Sequence, residues 1–323
     1  SPLAAATRPV VVSQALAAFA LALLLGLQPV TTDVYLPALP LLRRELDAGM
    51  AAAQLTMSAL ILSFGLAQMV WGPLADRFGR RPVLLLGLTL YTVASAGCAL
   101  ASSIDGLVVW RVLQGAALAS AVVVARAVIR DLYEPAQGAH VMALALTGLG
   151  VIALLSPLLG GFLAAASGWR AAITGVTLTG AATLAFIALR LPETLAQPNP
   201  RALLPGPLLN SWVGIAANPA FRAWGLLVAC SYGGLFTLLA GSSFIYIDVL
   251  GLSPAAYGAA MAAGSLSYIA GTFVCRRWIR SVGMRGTVRR GAWFTLIAGV
   301  LAIGLTLAGV QAVWAVLVPQ LLF

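Results

Sequence analysis

Apolar runs long enough to cross a bilayer recur along this chain, at approximately 13–36, 53–72, 82–101, 106–129, 139–165, 170–190, 221–247, 255–274 and 288–309. A further run begins near 312. About 20 apolar residues in a helix span the hydrocarbon core of a membrane. The chain is 61% hydrophobic and 9% charged, against roughly 25% charged in a soluble domain. A transmembrane barrel would show alternating segments of ~10 residues, and the runs do not alternate. The fold expected is an all-α polytopic membrane protein.

The charge pattern orients it. All nineteen basic residues are arginine, and the net charge is +10. They gather in the short connections between apolar runs, which argues for topology and against nucleic-acid binding. Arg8, Arg77, Arg80, Arg81, Arg126, Arg130, Arg190, Arg201, Arg222, Arg276, Arg277, Arg280, Arg285, Arg289 and Arg290 fall on one side, and only Arg43, Arg44 and Arg170 on the other. The excess places the amino terminus in the cytoplasm. Short connections such as 101–105 and 167–170 make their flanking spans antiparallel neighbours.

The one long polar connection, 191–220, carries Pro192, Pro198, Pro200, Pro205 and Pro207. It divides the chain into a six-span half (1–190), a cytoplasmic linker (191–220) and an incomplete second half (221–323). The arginine-rich stretch Cys275–Arg290 echoes Gly72–Pro82 about 200 residues later, keeping glycine and arginines but no aspartate. Paired halves suit transporters whose substrate sits between repeats near the midplane. Two six-span halves need twelve spans; the chain stops within the tenth and lacks an initiator methionine, so a fragment is expected.

Asp33 is the carboxylate that lies well inside an expected span, about 30 Å up an ideal helix from the cytoplasmic start. Two readings are open: a solvated carboxylate at the outer interface, or a buried one facing a cavity or partner. Burial favours the neutral form of a carboxyl group, which suits proton binding. Arg111 lies about 9 Å into the fourth span from the other direction, at similar depth. The two could lower each other's burial cost, or Arg111 could snorkel to the surface. Asp131, in RDLYEP (130–135), could pair with Arg80 or Arg81 or be solvated. Tyr35, Gln114, Tyr232, Phe236, Phe244 and Tyr246 are candidates for a substrate cavity; the aromatic ones equally suit packing or an interfacial belt.

Several motifs carry a resemblance. GPLADRFGRRP (72–82), with Gly72, Asp76, Arg77, Gly79, Arg80 and Arg81, is similar to the signature loop between spans two and three of the major facilitator superfamily. RVLQG (111–115) resembles its fourth-span motif at Arg111, Gln114 and Gly115. Gly148 with SPLLGG (156–161) resembles the fifth-span motif of its antiporter branch at Gly148, Pro157, Gly160 and Gly161, with Ser156 where glycine is more usual. TDVYLPALP and ARAVIRDLYEP narrow this to the Bcr/CflA group of drug-resistance exporters. The specific motifs all lie in the first half; PAFR (219–222) and SSFIYIDVLGLSP (242–254) extend the likeness into the second.

The resemblance implies two six-helix halves and proton-coupled multidrug efflux across the inner membrane. Asp33 and Arg111 would be the proton-coupling residues and the signature loop with Asp131 a conformational switch. The partners would be small-molecule drug, protons and membrane lipid, with a monomeric state. No cofactor is expected, the proton gradient being the energy source. Export of a small metabolite or amino acid, or a non-transporting membrane protein, are the alternatives. No Walker-type phosphate loop points to an ATP-driven pump. No nucleophile–base set or metal-ligand cluster points to an enzyme. Cys98, Cys230 and Cys275 are too scattered for a disulfide framework, and His140 reads as an exposed or capping residue.

Overall fold

The computed structural model describes residues 12–322, apart from the Arg276 side chain. Arg8, which counted toward the orientation, lies outside the described residues, as does that side chain. Every regular element among them is helical. Span one is α1 (Gln14–Asp33), a 3-10 turn (Leu36–Ala38) and α2 (Leu39–Glu45). Spans two, three and four are α3 (Met50–Phe78), α4 (Arg80–Leu100) and α5 (Ile104–Leu132). Then come α6 (Pro135–Arg190), α7 (Pro205–Ala217), α8 (Pro219–Ser243) with a π-helical turn (Phe244–Val249), α9 (Pro254–Leu307) and α10 (Val313–Leu322).

Two of these helices are double spans. The 56 residues of α6 would reach ~84 Å, more than twice a hydrocarbon core. Gly168 breaks it at φ 80°, ψ 178°, and Leu163 then packs back against Gly175. Gly283 (φ 72°, ψ 178°) folds α9 in the same way, bringing Trp278 to 5.9 Å from Phe294. Gly79, at φ 101° and ψ 157°, separates α3 from α4. Only glycine occupies this backbone region readily, so each arginine-rich connection is a one-residue turn between helices that continue through it. The spans expected from hydropathy are thus present, and they are longer than their apolar cores.

The first span differs from expectation. Its expected apolar run ends near residue 36, but helix resumes around Pro37 and around Pro40 and runs to Glu45. Each proline sits in the first turn of a new helical segment, where its missing N–H costs nothing. Pro37 cannot donate to the Asp33 carbonyl four residues back, so α1 ends at Asp33. The connection 191–220 also holds more order than a proline-rich linker suggests, because Pro205 opens α7, none of whose residues is buried.

Within the first six spans α3 packs on α5, α4 on α5 and α6, and α1 on α6; the later spans join through α6 against α9. Helices in lipid associate by close packing of small residues. Gly115 of RVLQG shows why: a β-carbon there would run into the Leu60 carbonyl.

Candidate functional site

Asp33 stands at a three-helix joint. Thr32 Oγ1 donates to its Oδ1 at 2.7 Å. The carboxylate is partly exposed while Thr32, Val34 and Tyr35 around it are buried. The neighbouring Val34 backbone lies against Gly160, where a β-carbon would fall 2.6 Å from Val34 Cα. One residue on, a β-carbon at Gly161 would fall 2.5 Å from the Pro254 carbonyl oxygen and 3.1 Å from Ala255 Cα. Gly258 likewise leaves room for the Pro157 carbonyl. The stretch 156–161 is therefore a two-sided seam, with α1 on one face and α9 on the other. Further along, Gly148 faces Ala22, and Ser265 Oγ donates to the Ala153 carbonyl at 3.2 Å.

Arg111 does not pair with Asp33, and it does not snorkel. It is 1% exposed and lies over the Tyr35 ring, 3.6 Å from its centroid, a cation–π contact in a desolvated setting. Its Nη1 donates to Gln114 Oε1 at 2.7 Å. Gln114 Nε2 donates to Ser95 Oγ at 2.7 Å, and Ser95 donates to the Tyr91 carbonyl. Tyr35 Oη and Thr56 Oγ1 are 2.6 Å apart; Tyr91 Oη and Thr31 Oγ1 are also 2.6 Å apart. This polar lattice links spans one to four. Among the described residues no carboxylate reaches Arg111, and no cation reaches Asp33. Tyr35 and Gln114, both candidates for a substrate cavity, are fully buried inside the first bundle. A shared depth says nothing of direction, and Arg111 points into its own bundle, over Tyr35 and onto Gln114.

The signature loop builds a second constellation at the arginine-rich end. Arg80 Nε donates to Asp131 Oδ2 at 2.7 Å and its Nη1 to Asp76 Oδ1 at 2.6 Å, tying α3, α4 and α5 together. Arg81 does not pair with Asp131; it donates to the carbonyls of Ala188 and Leu191, at 2.8 and 2.9 Å. Arg77 donates to the Pro200 carbonyl. Glu193, which sequence reasoning missed, organises this corner. Its carboxylate accepts from the backbone N–H groups of Arg80, Arg81, Thr194 and Leu195 at 2.8–3.1 Å. It thus caps α4 across more than a hundred residues, and a β-carbon at Gly79 would strike it. The sequence shows only an acid just past span six, with nothing to tie it to the distant loop.

The three arginines against the topological rule all have carboxylate partners at the opposite end. Arg43 and Arg44 reach Asp248 at 3.3 and 2.6 Å, latching α2 to the π-helical turn. Arg170 pairs with Glu45, which also accepts from Trp169 Nε1 at 2.8 Å.

The later spans contribute a smaller polar cluster, also unforeseen beyond Tyr246. Tyr257 Oη is 2.7 Å from Ser242 Oγ, and Tyr246 Oη donates to Gln320 Oε1 at 3.1 Å. The two tyrosine rings are 5.8 Å apart. Tyr232 and Phe236 form a separate pair, 6.1 Å between centroids, with Tyr232 largely exposed. Phe244 is buried under Arg43. His140 is exposed.

Comparison with known proteins gives this geometry its setting. The sequence profile described as Major Facilitator Superfamily matches residues 10–323. The chain belongs to that superfamily. It is accordingly an integral membrane transporter. Among its relatives is the multidrug resistance protein D of Escherichia coli, 31% identical over 94% of this chain and 75% of that protein. The bicyclomycin resistance protein homolog of Haemophilus influenzae is 25% identical over 86% of this chain and 72% of that protein. The chloramphenicol resistance protein of Pseudomonas aeruginosa is 29% identical over 88% and 65% respectively. A solved bacterial homolog of the human lysosomal transporter Spinster, inward-facing and unoccupied, superposes with a TM-score of 0.71 at 18% identity, covering 96% of this chain and 71% of that one. That likeness concerns the fold alone.

Proposed function

We propose that this protein is a multidrug exporter of the inner membrane, driven by exchange for protons. It acts as a monomer of two rocking halves, 1–190 and 221 onward, joined by a cytoplasmic linker, with its amino terminus in the cytoplasm. The observation that carries the reading is Asp33. It is a half-buried carboxylate, with no cation against it among the described residues, at the joint where α1, the 156–161 seam and α9 converge. The resistance proteins among its relatives supply the substrate class.

In this scheme the latched end faces outward and is closed. Drug enters from the cytoplasm or inner leaflet while Asp33 is ionised. The seam between α6 and α9 and the Arg43–Asp248–Arg44 latch then open outward. A proton from outside neutralises Asp33 as drug departs, and the neutral carrier returns. Arg111, fixed by Tyr35 and Gln114, keeps a permanent positive charge in the first half and biases where protons settle. The Asp76–Arg80–Asp131 network holds the first bundle rigid at the cytoplasmic end. The proton gradient is the sole energy source, with no cofactor.

The test is drug-induced proton release from the purified protein, using chloramphenicol and bicyclomycin as probes. The wild type should release protons and Asp33→Asn should not, while remaining folded. Full proton-coupled efflux by Asp33→Asn would remove this residue from the mechanism.

A further inference from the structure

Residues 194 to 247 include no acid, and within them lies α7, a helix with no charged side chain. At about 100° per residue its sequence divides into two faces. Leu208, Leu209, Trp212, Val213 and Ala216 share one; Asn210, Ser211 and Gly214 share the other. The protein leaves the apolar face open: no residue of α7 is buried, and Leu209 and Val213 are 57% and 59% exposed. A helix shorter than ~12–15 residues is marginal in water on its own. With 13 residues, Pro205 at its start and two glycines, α7 needs an apolar surface to rest on. Connectivity says where that surface is. Asn199 and Pro200, just before α7, are held at the signature loop by Asp76 and Arg77. Asn218, just after it, caps α8 by accepting from the Ala220 and Phe221 N–H groups. Both ends of α7 are thus tied to span ends on one side of the membrane, which keeps the helix at the lipid–water boundary. Arg201 and Arg222 flank it, both exposed, on the side whose leaflet is anionic.

We infer that α7 is an in-plane membrane helix, its Leu209–Val213 face seated in the cytoplasmic leaflet and Arg201 and Arg222 engaging the phosphates of anionic phospholipids. The seat is shallow, about 5–10 Å into the boundary between headgroups and acyl chains. Trp212 suits that level, because an indole is apolar over its rings and has an N–H for the polar layer. Guanidinium groups reach the phosphates by snorkelling, and each adds about five-fold to binding at an anionic surface. The inference rests on the cytoplasmic placement of the connector and on nothing in the drug or proton cycle.

The experiment is spin-label accessibility in the full chain, reconstituted in bilayers of phosphatidylethanolamine and phosphatidylglycerol. A cysteine replaces Leu209 on the apolar face or Ser211 on the polar face, with Cys230 and Cys275 changed to serine; Cys98 is buried. Oxygen partitions into lipid, whereas a nickel chelate stays in water. The ratio of oxygen to chelate accessibility should be about ten-fold higher at 209 than at 211. Val213→Glu, which places a carboxylate on the seated face and touches no core, should abolish that difference. Exchanging phosphatidylglycerol for phosphatidylcholine should lower the ratio at 209, and Arg201→Gln with Arg222→Gln should remove this lipid dependence. Equal chelate accessibility at 209 and 211 would put α7 in water and overturn the inference. Closure of 209 to both reagents would mean that protein covers the face, and would overturn it too. A wild-type ratio indifferent to phosphatidylglycerol overturns the assignment of anionic phospholipid. Sidedness is read separately, with an impermeant thiol reagent on Ser211→Cys in intact cells and inverted vesicles. Labelling from outside overturns the topology and the leaflet together; inner labelling without the accessibility pattern overturns the seat alone.

Discussion

Two adjacent glycines should fail in different ways when given the same methyl group. Gly160 and Gly161 each lack room for a β-carbon, but the obstruction comes from different halves. At Gly160 it is the Val34 backbone, with Cα 2.6 Å away; at Gly161 it is the Pro254 carbonyl oxygen at 2.5 Å and Ala255 Cα at 3.1 Å. In both cases the neighbour is backbone, so relief requires a whole helix to move by about 1 Å, and such overpacking costs ~1–3 kcal/mol. For Gly161→Ala that cost falls on the packed seam and vanishes when α9 separates from α6. A penalty of that size shifts a two-state equilibrium by about 5–150-fold. If the open form is about 5% of the wild type, a typical minor population, a ten-fold shift raises it to about a third. For Gly160→Ala the cost falls within the first bundle in both states, so it lowers the thermal midpoint without changing the balance. The distance distribution between spin labels on cysteines replacing Ser102 and Val249, exposed positions at the latched end, with Cys230 and Cys275 changed to serine, reports the first effect, and thermal unfolding in detergent the second. Gly258→Ala, which meets the Pro157 carbonyl from the other side, should behave as Gly161→Ala does. Equal thermal destabilisation by Gly160→Ala and Gly161→Ala, with unchanged distances in both, would refute the division of the seam into an internal and a moving face.

Other outcomes follow from the constellations at either end. Glu193→Ala should cost about 2 kcal/mol, because two backbone donors at the start of α4 and two in the connection lose a charged acceptor; the check is a lower thermal midpoint, with faster proteolysis between residues 190 and 200, partly restored in Glu193→Gln. Asp248→Asn should open the latched end by only about five-fold, since exposed ion pairs contribute ~1 kcal/mol or less, and raising salt in the wild type should mimic it in the same distance measurement. Arg111→Lys should lower the midpoint by several degrees despite keeping the charge, because an ammonium loses the planar stack on Tyr35 and the directed bond to Gln114; a midpoint equal to wild type would mean that the stack adds no stability.

Much of the architecture could be read from the runs of apolar residues, because a bilayer demands helices of nearly fixed length. The Arg80–Asp131 contact was legible for a related reason: both residues sit at span ends on one side of the membrane, where few alternatives exist. Asp33 and Arg111 show where this reasoning fails. Hydropathy gives depth to within a turn but not the angle about the helix axis, and the angle decides whether two charges meet. Glu193 was invisible for another reason. Its partners at the start of α4 lie more than a hundred residues away in sequence, and it carries no local pattern of its own. The helix beyond residue 36 was not legible because Arg43, Arg44 and Glu45 end the apolar run, while proline in a first turn opens a helix as readily as it ends one.

The connector between the two halves is much shorter in mechanical terms than its sequence suggests. Residues 193–200 are strapped to the first bundle through Glu193, through Asn199 N–H on the Asp76 carbonyl at 2.8 Å, and through Arg77 on Pro200. Beyond them lie a few residues and α7, 13 residues or ~20 Å of helix. The tether therefore acts as a crank with one anchored bearing. Lengthening it before Pro200 should leave the gearing between the halves unchanged, whereas the same insertion between Arg201 and Leu204 would introduce slack at the hinge.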